Sequence, residues 1–207
     1  MVADSELPYP IPPPLLVLDV LGRQRASWDS HALNLTRRQT EILVLLALHP
    51  DGISLEELHA ELYGDAAVGI GTLKAEVSHL RRLLDGRISR APYRLECAFD
   101  VDALDVLADL RTGRLPDAVA RFAGPFLTWS ESPRLVRLSC TVEVALRDAV
   151  MAGTDHEVAL ALALKLEDDA ELAEFALRVL PDGDARRHFM RAHLTGIGLI
   201  RTPRPGR

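Results

Sequence analysis

The chain has few of the residues that build metal and redox centres. Only two of its 207 residues are cysteine. Cys97 and Cys140 form no CxxC pair, so we expect two reduced, buried thiols. The seven histidines contain no HxxxH pair. His188 and His193 are five residues apart, which puts them on different faces of a helix. The sequence therefore predicts no metal site and no cofactor.

Motifs of the common enzyme classes are also missing. The sequence has no GxSxG, P-loop or GxGxxG motif. Gly69 and Gly71 have the first spacing of a dinucleotide-binding loop, but the third glycine and the preceding strand are lacking. We expect no catalytic site and interpret the chain as something other than an enzyme.

Long apolar runs are the third absence. The longest run is far shorter than the roughly 20 residues of a membrane span. The N-terminus is acidic and rich in proline, which predicts no signal peptide. We therefore expect a soluble, cytoplasmic protein with no membrane partner.

Charge is distributed unevenly along the chain. The net charge is −6, which argues against nucleic acid as a partner for the chain as a whole. Residues 71–94, however, contain six basic and two acidic residues, a local balance of +4. Acidic residues such as Glu96, Asp100 and Asp105 follow directly. This asymmetry is typical of a DNA-binding segment attached to an acidic body.

The basic segment contains an amphipathic helix. Leu73, Val77, Leu80 and Leu84 recur at steps of four, three and four, which is the apolar stripe of a helix over residues 72–84. Side chains off the stripe should face outward and suit the major groove of DNA, while the basic residues after it suit a wing on the phosphate backbone. From this segment the candidate DNA-binding residues are Thr72, Lys74, Ser78, Arg81, Arg82, Arg90 and Arg94. The alternative is a solvated helix face balanced by Glu76 and Asp85.

The elements predicted before this helix are three short strands and two helices, and capping residues mark where the two helices begin. Residues 15–21, 25–28 and 31–35 are predicted as short strands of a small antiparallel sheet. Thr36 and Gln39 form a capping box at the start of a buried helix, and Ser54 and Glu57 form a second one. A loop of about seven residues then precedes the basic helix. This is longer than the turn of a simple helix-turn-helix and favours a winged variant.

These residues resemble the winged helix-turn-helix of OmpR-type response regulators. The resemblance covers about residues 15–95 and rests on LNLTRRQTEILVLLALHP, GISLEELHAELYG, VSHLRRLL and PYRL. It implies a recognition helix over 72–84 and a wing over 87–95, and it adds Arg37 and Arg38 as candidate phosphate contacts. The loop of residues 63–70 resembles a segment that contacts RNA polymerase in some members, and a plain connector is the alternative. Pro92 stands where the family usually has glycine, which affects how deeply the wing can insert.

The second half is predicted to be helical. Breaks at Gly113, Gly124, Gly153 and similar positions separate six short helices, which should pack as antiparallel hairpins. GRLPDAVARFAGPFLTWSESP and the later LRDAV resemble the bacterial transcriptional activation domain of SARP-type regulators, over about residues 98–195. The same arrangement is similar to the C-terminal half of GAF-domain transcriptional regulators.

Together these patterns predict a mainly α fold with a small antiparallel β component, a winged helix-turn-helix followed by an α-helical hairpin domain. The predicted segments are a proline-rich flexible lead (1–14), a DNA-binding domain (15–96), a helical activation or dimerisation domain (97–200) and a basic tail (201–207). The implied function is sequence-specific binding of double-stranded DNA by a homodimeric transcriptional regulator. The alternative is a protein-interaction module whose winged-helix scaffold no longer binds DNA.

Overall fold

The computed structural model describes residues 14–201, with side chains through residue 198. The predicted lead, apart from Pro14, and the predicted basic tail, apart from the backbone of Arg201, lie outside the described residues. Within the described range the strands are β1 (Leu15–Asp19), β2 (Arg25–Trp28), β3 (His31–Ala32) and β4 (Ala98–Val101). The helices are α1 (Arg37–Leu48), α2 (Leu55–Tyr63), α3 (Ile70–Leu83), α4 (Asp102–Arg111), α5 (Leu115–Arg121), α6 (Pro133–Met151), α7 (His156–Ala163), α8 (Ala170–Val179) and α9 (Arg186–Arg201).

The predicted fold class is confirmed: helices dominate, and one small sheet accompanies them. The sheet has the order β3-β2-β1-β4. β1 pairs antiparallel with β2, as predicted, and parallel with β4, where Leu16 lies opposite Phe99. The sequence did not predict β4. This strand follows α3 along the chain and pairs with β1 on the side opposite β2.

Both predicted capping boxes are present. The Thr36 side chain accepts from the backbone N–H of Gln39, and the backbone N–H of Thr36 donates to the Gln39 side chain. Ser54 and Glu57 make the same reciprocal pair at the start of α2. Each box satisfies two donors that the first helical turn leaves unpaired, so it fixes where the helix begins. α1 is buried nearly all round and lies in the centre of the core.

Asp102 is the first residue of α4, and its side chain bonds the chain after β1. Val101 occupies the N-cap position of α4. The Asp102 carboxylate instead accepts hydrogen bonds from the backbone N–H groups of Val20 (3.0 and 3.1 Å) and Leu21 (3.0 Å). Asp102 thereby links the two residues that follow β1 to the start of α4. Burial raises the pKa of this carboxyl, although these N–H groups and that of Ala103 oppose the shift.

The six helices of the second half form packed hairpins, with α4 against α5, α7 against α8 and α8 against α9. α6 is the longest of them and also packs on α1 and α2. Its inward face is the heptad-like set Leu135, Leu138, Val142, Leu146 and Val150. Cys140 lies on the opposite face and is exposed, and Cys97 is half-buried, so the expectation of two buried thiols was wrong.

One hydrophobic cluster runs from β1 through α1 to the last described helix. It contains Leu16 on β1, Leu46 on α1, Leu146 on α6 and Met190 on α9, and each of these is fully buried. The two predicted halves therefore share a sheet and a core. Among the described residues no helix is both long enough and apolar enough to cross a bilayer.

Candidate nucleic-acid interface

α3 buries one face and exposes the other, as its periodicity predicts. Leu73, Val77 and Leu80 are buried within the helix, and Leu84 is buried at its C-cap. The helix begins at Ile70, two residues before the predicted start. The predicted contact residues that lie exposed on its outer surface are Thr72, Lys74, Ser78 and Arg82.

Arg81 differs from its neighbours because it supports the turn that follows α3. It is half-buried, and its Nε–H donates to the backbone oxygen of Gly86 at 3.3 Å. The backbone N–H of Gly86 in turn donates to the Arg81 oxygen at 2.7 Å. The Arg81 side chain therefore has a structural contact in addition to any contact with a ligand, whereas the Arg82 side chain has no such bond within the described residues.

A wing follows α3, at the predicted residues. Its two arms are joined by a bridge between Ile88 and Leu95. The N–H of Ser89 donates to the oxygen of Arg94, and the N–H of Glu96 donates to the oxygen of Arg87, both at 2.9 Å. The wing is short, so it positions basic residues next to α3 without reaching far from the body.

The wing is held by the turn between α1 and α2. Ile53 and Tyr93 exchange two backbone hydrogen bonds of 2.9 Å. Gly52 has φ +98°, and a Cβ there would lie 2.5 Å from Cγ of Pro92, so only glycine fits. Pro92 stands where the OmpR-type proteins that the sequence resembles usually have glycine. Its ring packs against Gly52, which has no side chain to clash with it.

Arg81, Arg82 and Arg90 line one depression, of about 550 Å³, between α3 and the wing. Ser78 and Gly86 lie in the same depression. Three guanidinium groups around one concave surface offer the bidentate donors that suit phosphate oxygens or the edge of guanine. The structure thus brings together four of the predicted contact residues.

The two acidic residues of this segment are bonded to the body of the protein and not to its arginines. The Gln39 amide donates to Glu76 Oε2 at 3.1 Å, and the Trp28 indole N–H donates to Asp85 Oδ2 at 2.9 Å. Both donors are uncharged. In the described part of the chain, no carboxylate lies within ion-pair distance (4.0 Å) of Lys74, Arg81, Arg82, Arg87 or Arg90; the ion pair on the wing joins Arg94 to Glu96 at 3.3 Å.

The sequence did not predict that Gln39 and Trp28 belong to the site. Gln39 was recognised only as the partner of Thr36 in a capping box, yet the same side chain also holds Glu76 on α3. Trp28 lies in β2, 57 residues from Asp85. The spacing of residues along the chain contains no signal for either contact.

Arg37 and Arg38 lie apart from the depression between α3 and the wing. The Arg37 guanidinium stacks 5.2 Å from the ring centroid of Trp129. Arg38 pairs with Glu41 at 2.9 Å and lies 4.5 Å from the ring centroid of Tyr63. A phosphate contact by either arginine stays a prediction. Arg38 also joins α1 to α2 through Tyr63, and Arg37 lies at the contact between α1 and residues 124–132 through Trp129.

Glu41 is the buried charge at that contact. It is 3% exposed, and the Ser130 hydroxyl donates to its Oε1 at 2.6 Å. Burial raises the pKa of the Glu41 carboxyl, and the bonds from Ser130 and Arg38 only partly oppose this. A raised folded-state pKa means that the folded chain binds more protons than the unfolded chain, so stability from this group falls as pH rises through that pKa.

We expect Glu41→Gln to remove this pH dependence, because glutamine keeps an acceptor for Ser130 and cannot ionise. The change in melting temperature relative to the wild type should be more favourable at pH 7 than at pH 4.5, as measured by differential scanning fluorimetry. Glu56→Gln, at an exposed position of α2, is the control and should give the same difference at both values. An equal difference for Glu41→Gln at the two values would contradict the prediction.

Comparison with known proteins finds distant likenesses. No protein-family model matches the chain. It is 30% identical over 153 residues to an uncharacterized 47.3 kDa protein in the thcA 5′ region of Rhodococcus erythropolis, an alignment that covers 73% of this chain and 35% of that protein. The chain thus spans about a third of the length of this relative. The fold of the present chain is similar to that of Mycobacterium tuberculosis EmbR in complex with a low-affinity phosphopeptide. The TM-score is 0.46 at 15% identity, and the alignment covers 89% of this chain and 58% of that chain. A likeness at this level contains no information about function.

Proposed function

We propose that the chain is a transcriptional regulator that binds double-stranded DNA with a defined sequence preference. α3 would enter the major groove, and the wing would lie on the phosphate backbone. The observation that supports this most directly is the set of basic side chains on α3 and the wing that lack carboxylate partners in the described structure. Because Glu76 and Asp85 are bonded to neutral donors of the body, these cations remain available for an anionic partner.

Within the proposal, the predicted contact residues have different functions. Lys74, Thr72 and Ser78 lie on the exposed side of α3, where base edges or phosphates would be met. Arg82 and Arg90 would bind phosphate or guanine from the depression between α3 and the wing. Arg94, because it is paired with Glu96, contributes less.

The remaining assignments follow from this function. Residues 15–96 would be the DNA-binding unit, and residues 97–200 would serve activation or dimerisation. A single small module buries limited surface on DNA, which favours a homodimer on a repeated half-site. The loop of residues 63–70 is the candidate contact with RNA polymerase, and the protein would act in the cytoplasm.

A polarisation titration of labelled random duplex DNA tests the proposal. Five cations without carboxylate partners predict that the logarithm of the binding constant falls with the logarithm of the salt concentration with a slope of about −4.5. Selection of genomic fragments with the tagged protein then tests sequence preference, and enrichment of one shared motif is the expected result.

The competing function is a protein-interaction module on a winged-helix scaffold. The net charge of −6 and the short wing are the observations that favour it. If the wild-type chain leaves duplex DNA unbound at about 50 mM salt, where non-specific electrostatic binding is strong, this second function replaces the first.

A further inference from the structure

A cleft of about 360 Å³ lies where α1, α4 and α6 meet, and none of its lining residues belongs to α3 or the wing. Four leucines, Leu48, Leu104, Leu107 and Leu138, form the apolar part of its wall, and Thr141 and two arginines form the polar part. The volume is within the range of about 300–1,000 Å³ that is usual for small-molecule sites. The four leucines can therefore contact a short apolar chain, while the polar part of the wall faces its head group.

Charge at the edge of this cleft has one sign. Arg111, at the end of α4, and Arg134, in the first turn of α6, both line it, and no carboxylate does. Arg134 has a distant partner, since its Nε lies 3.8 Å from Oε1 of Glu61, which also bonds His49 at 2.9 Å. Arg111 has no carboxylate within ion-pair distance in the described part of the chain. It is exposed and is the freer of the two cations.

A larger cleft of about 800 Å³, beside α6 and the loop from α7 to α8, has the opposite character. Its lining includes four acidic residues (Glu143, Glu167, Asp168 and Asp169) and two basic ones (Arg147 and Lys165). Arg147 pairs with Asp169 at 2.8 Å, and the Lys165 ammonium donates to the backbone oxygen of Val119 at 2.6 Å. Acidic residues are therefore in excess there, and an anion is favoured more in the cleft with Arg111.

From this combination we infer that the α1–α4–α6 cleft binds a small amphipathic carboxylate, with its apolar chain against the four leucines and its carboxylate on Arg111 and Arg134. A guanidinium can donate two parallel hydrogen bonds to a carboxylate, which favours it over a neutral head group. Because the cleft joins α1 of the winged helix to α4 and α6, a bound ligand stabilises their packing by mass action.

Isothermal titration calorimetry with the full chain tests the inference, with octanoate, 1-octanol and octylammonium as probes of equal chain length. Octanoate should bind saturably at one per chain, and 1-octanol should bind at least about tenfold more weakly because it lacks the charge. Arg111→Ala should weaken octanoate binding about tenfold, and Arg111→Lys should retain most of it. Arg137→Ala, on the exposed face of α6, is the matched control and should leave the affinity unchanged.

Three results would overturn the inference: no saturable binding of octanoate up to about 10 mM, equal affinity for octanoate and 1-octanol, or equal effects of Arg111→Ala and Arg137→Ala. The thermal midpoint of each variant without ligand shows that it is folded. None of these measurements depends on DNA, so the inference and the proposed function fail independently.

Discussion

Arg82→Glu is expected to lower the affinity for duplex DNA about 100-fold at about 50 mM salt, because removing one phosphate interaction costs about tenfold and the reversed charge adds repulsion. The melting temperature should stay unchanged, since the Arg82 side chain is exposed and bonds no other group in the described part of the protein. Arg82→Ala should give about a tenfold reduction and a salt slope that is shallower by about one. Fluorescence polarisation measures both quantities.

Arg82 is a cleaner test than Arg81, because the bond from Arg81 to Gly86 makes a reduced affinity at residue 81 ambiguous. Arg137→Glu is the matched control: it reverses the same charge on α6 and should change affinity only slightly. If Arg82→Glu and Arg137→Glu reduce affinity equally, binding reflects net charge alone, and α3 is not the contact surface.

Asp102→Ala should destabilise the fold by about 2–4 kcal/mol. It leaves the N–H groups of Val20 and Leu21 without an acceptor, and both residues are about 1% exposed. A buried donor without a partner costs about 1–3 kcal/mol. Urea denaturation followed by circular dichroism gives the free energy of unfolding.

Asp102→Asn should cost less than Asp102→Ala, because its amide oxygen still accepts while its amino group opposes one of the two donors. Asp148→Ala, on the exposed side of α6, is the control and should stay within about 0.5 kcal/mol of the wild type. A destabilisation at Asp102 no larger than at Asp148 would mean that water satisfies the N–H groups of Val20 and Leu21.

Local features of the fold were predictable because their signals lie within a few residues. Thr36 with Gln39 and Ser54 with Glu57 fix the starts of α1 and α2 through contacts three residues apart. The buried face of α3 follows from its 3.6-residue period. The helix breaks of the second half were visible at Gly113, Gly124 and Gly153, which lie two or three residues after the ends of α4, α5 and α6.

Features that depend on distant residues were not predictable. β4 has only four residues, and its pairing with β1 joins positions more than 80 residues apart, for which a parallel pair has no turn signal. The same reason applies to the Asp102 contacts and to the bonds that hold Glu76 and Asp85. The basic residues of the site could therefore be predicted from the sequence. The bonds from Gln39 to Glu76 and from Trp28 to Asp85 could not.

β4 has a consequence for dividing this protein into parts. If the chain is cut at the predicted boundary near residue 97, β1 loses its parallel neighbour and becomes an edge strand with unpaired backbone groups. Such an edge is a template for pairing with other chains, so a fragment of residues 15–96 is expected to aggregate. A fragment extended through α4 keeps both the fourth strand and the Asp102 carboxylate, so β1 stays paired on both sides.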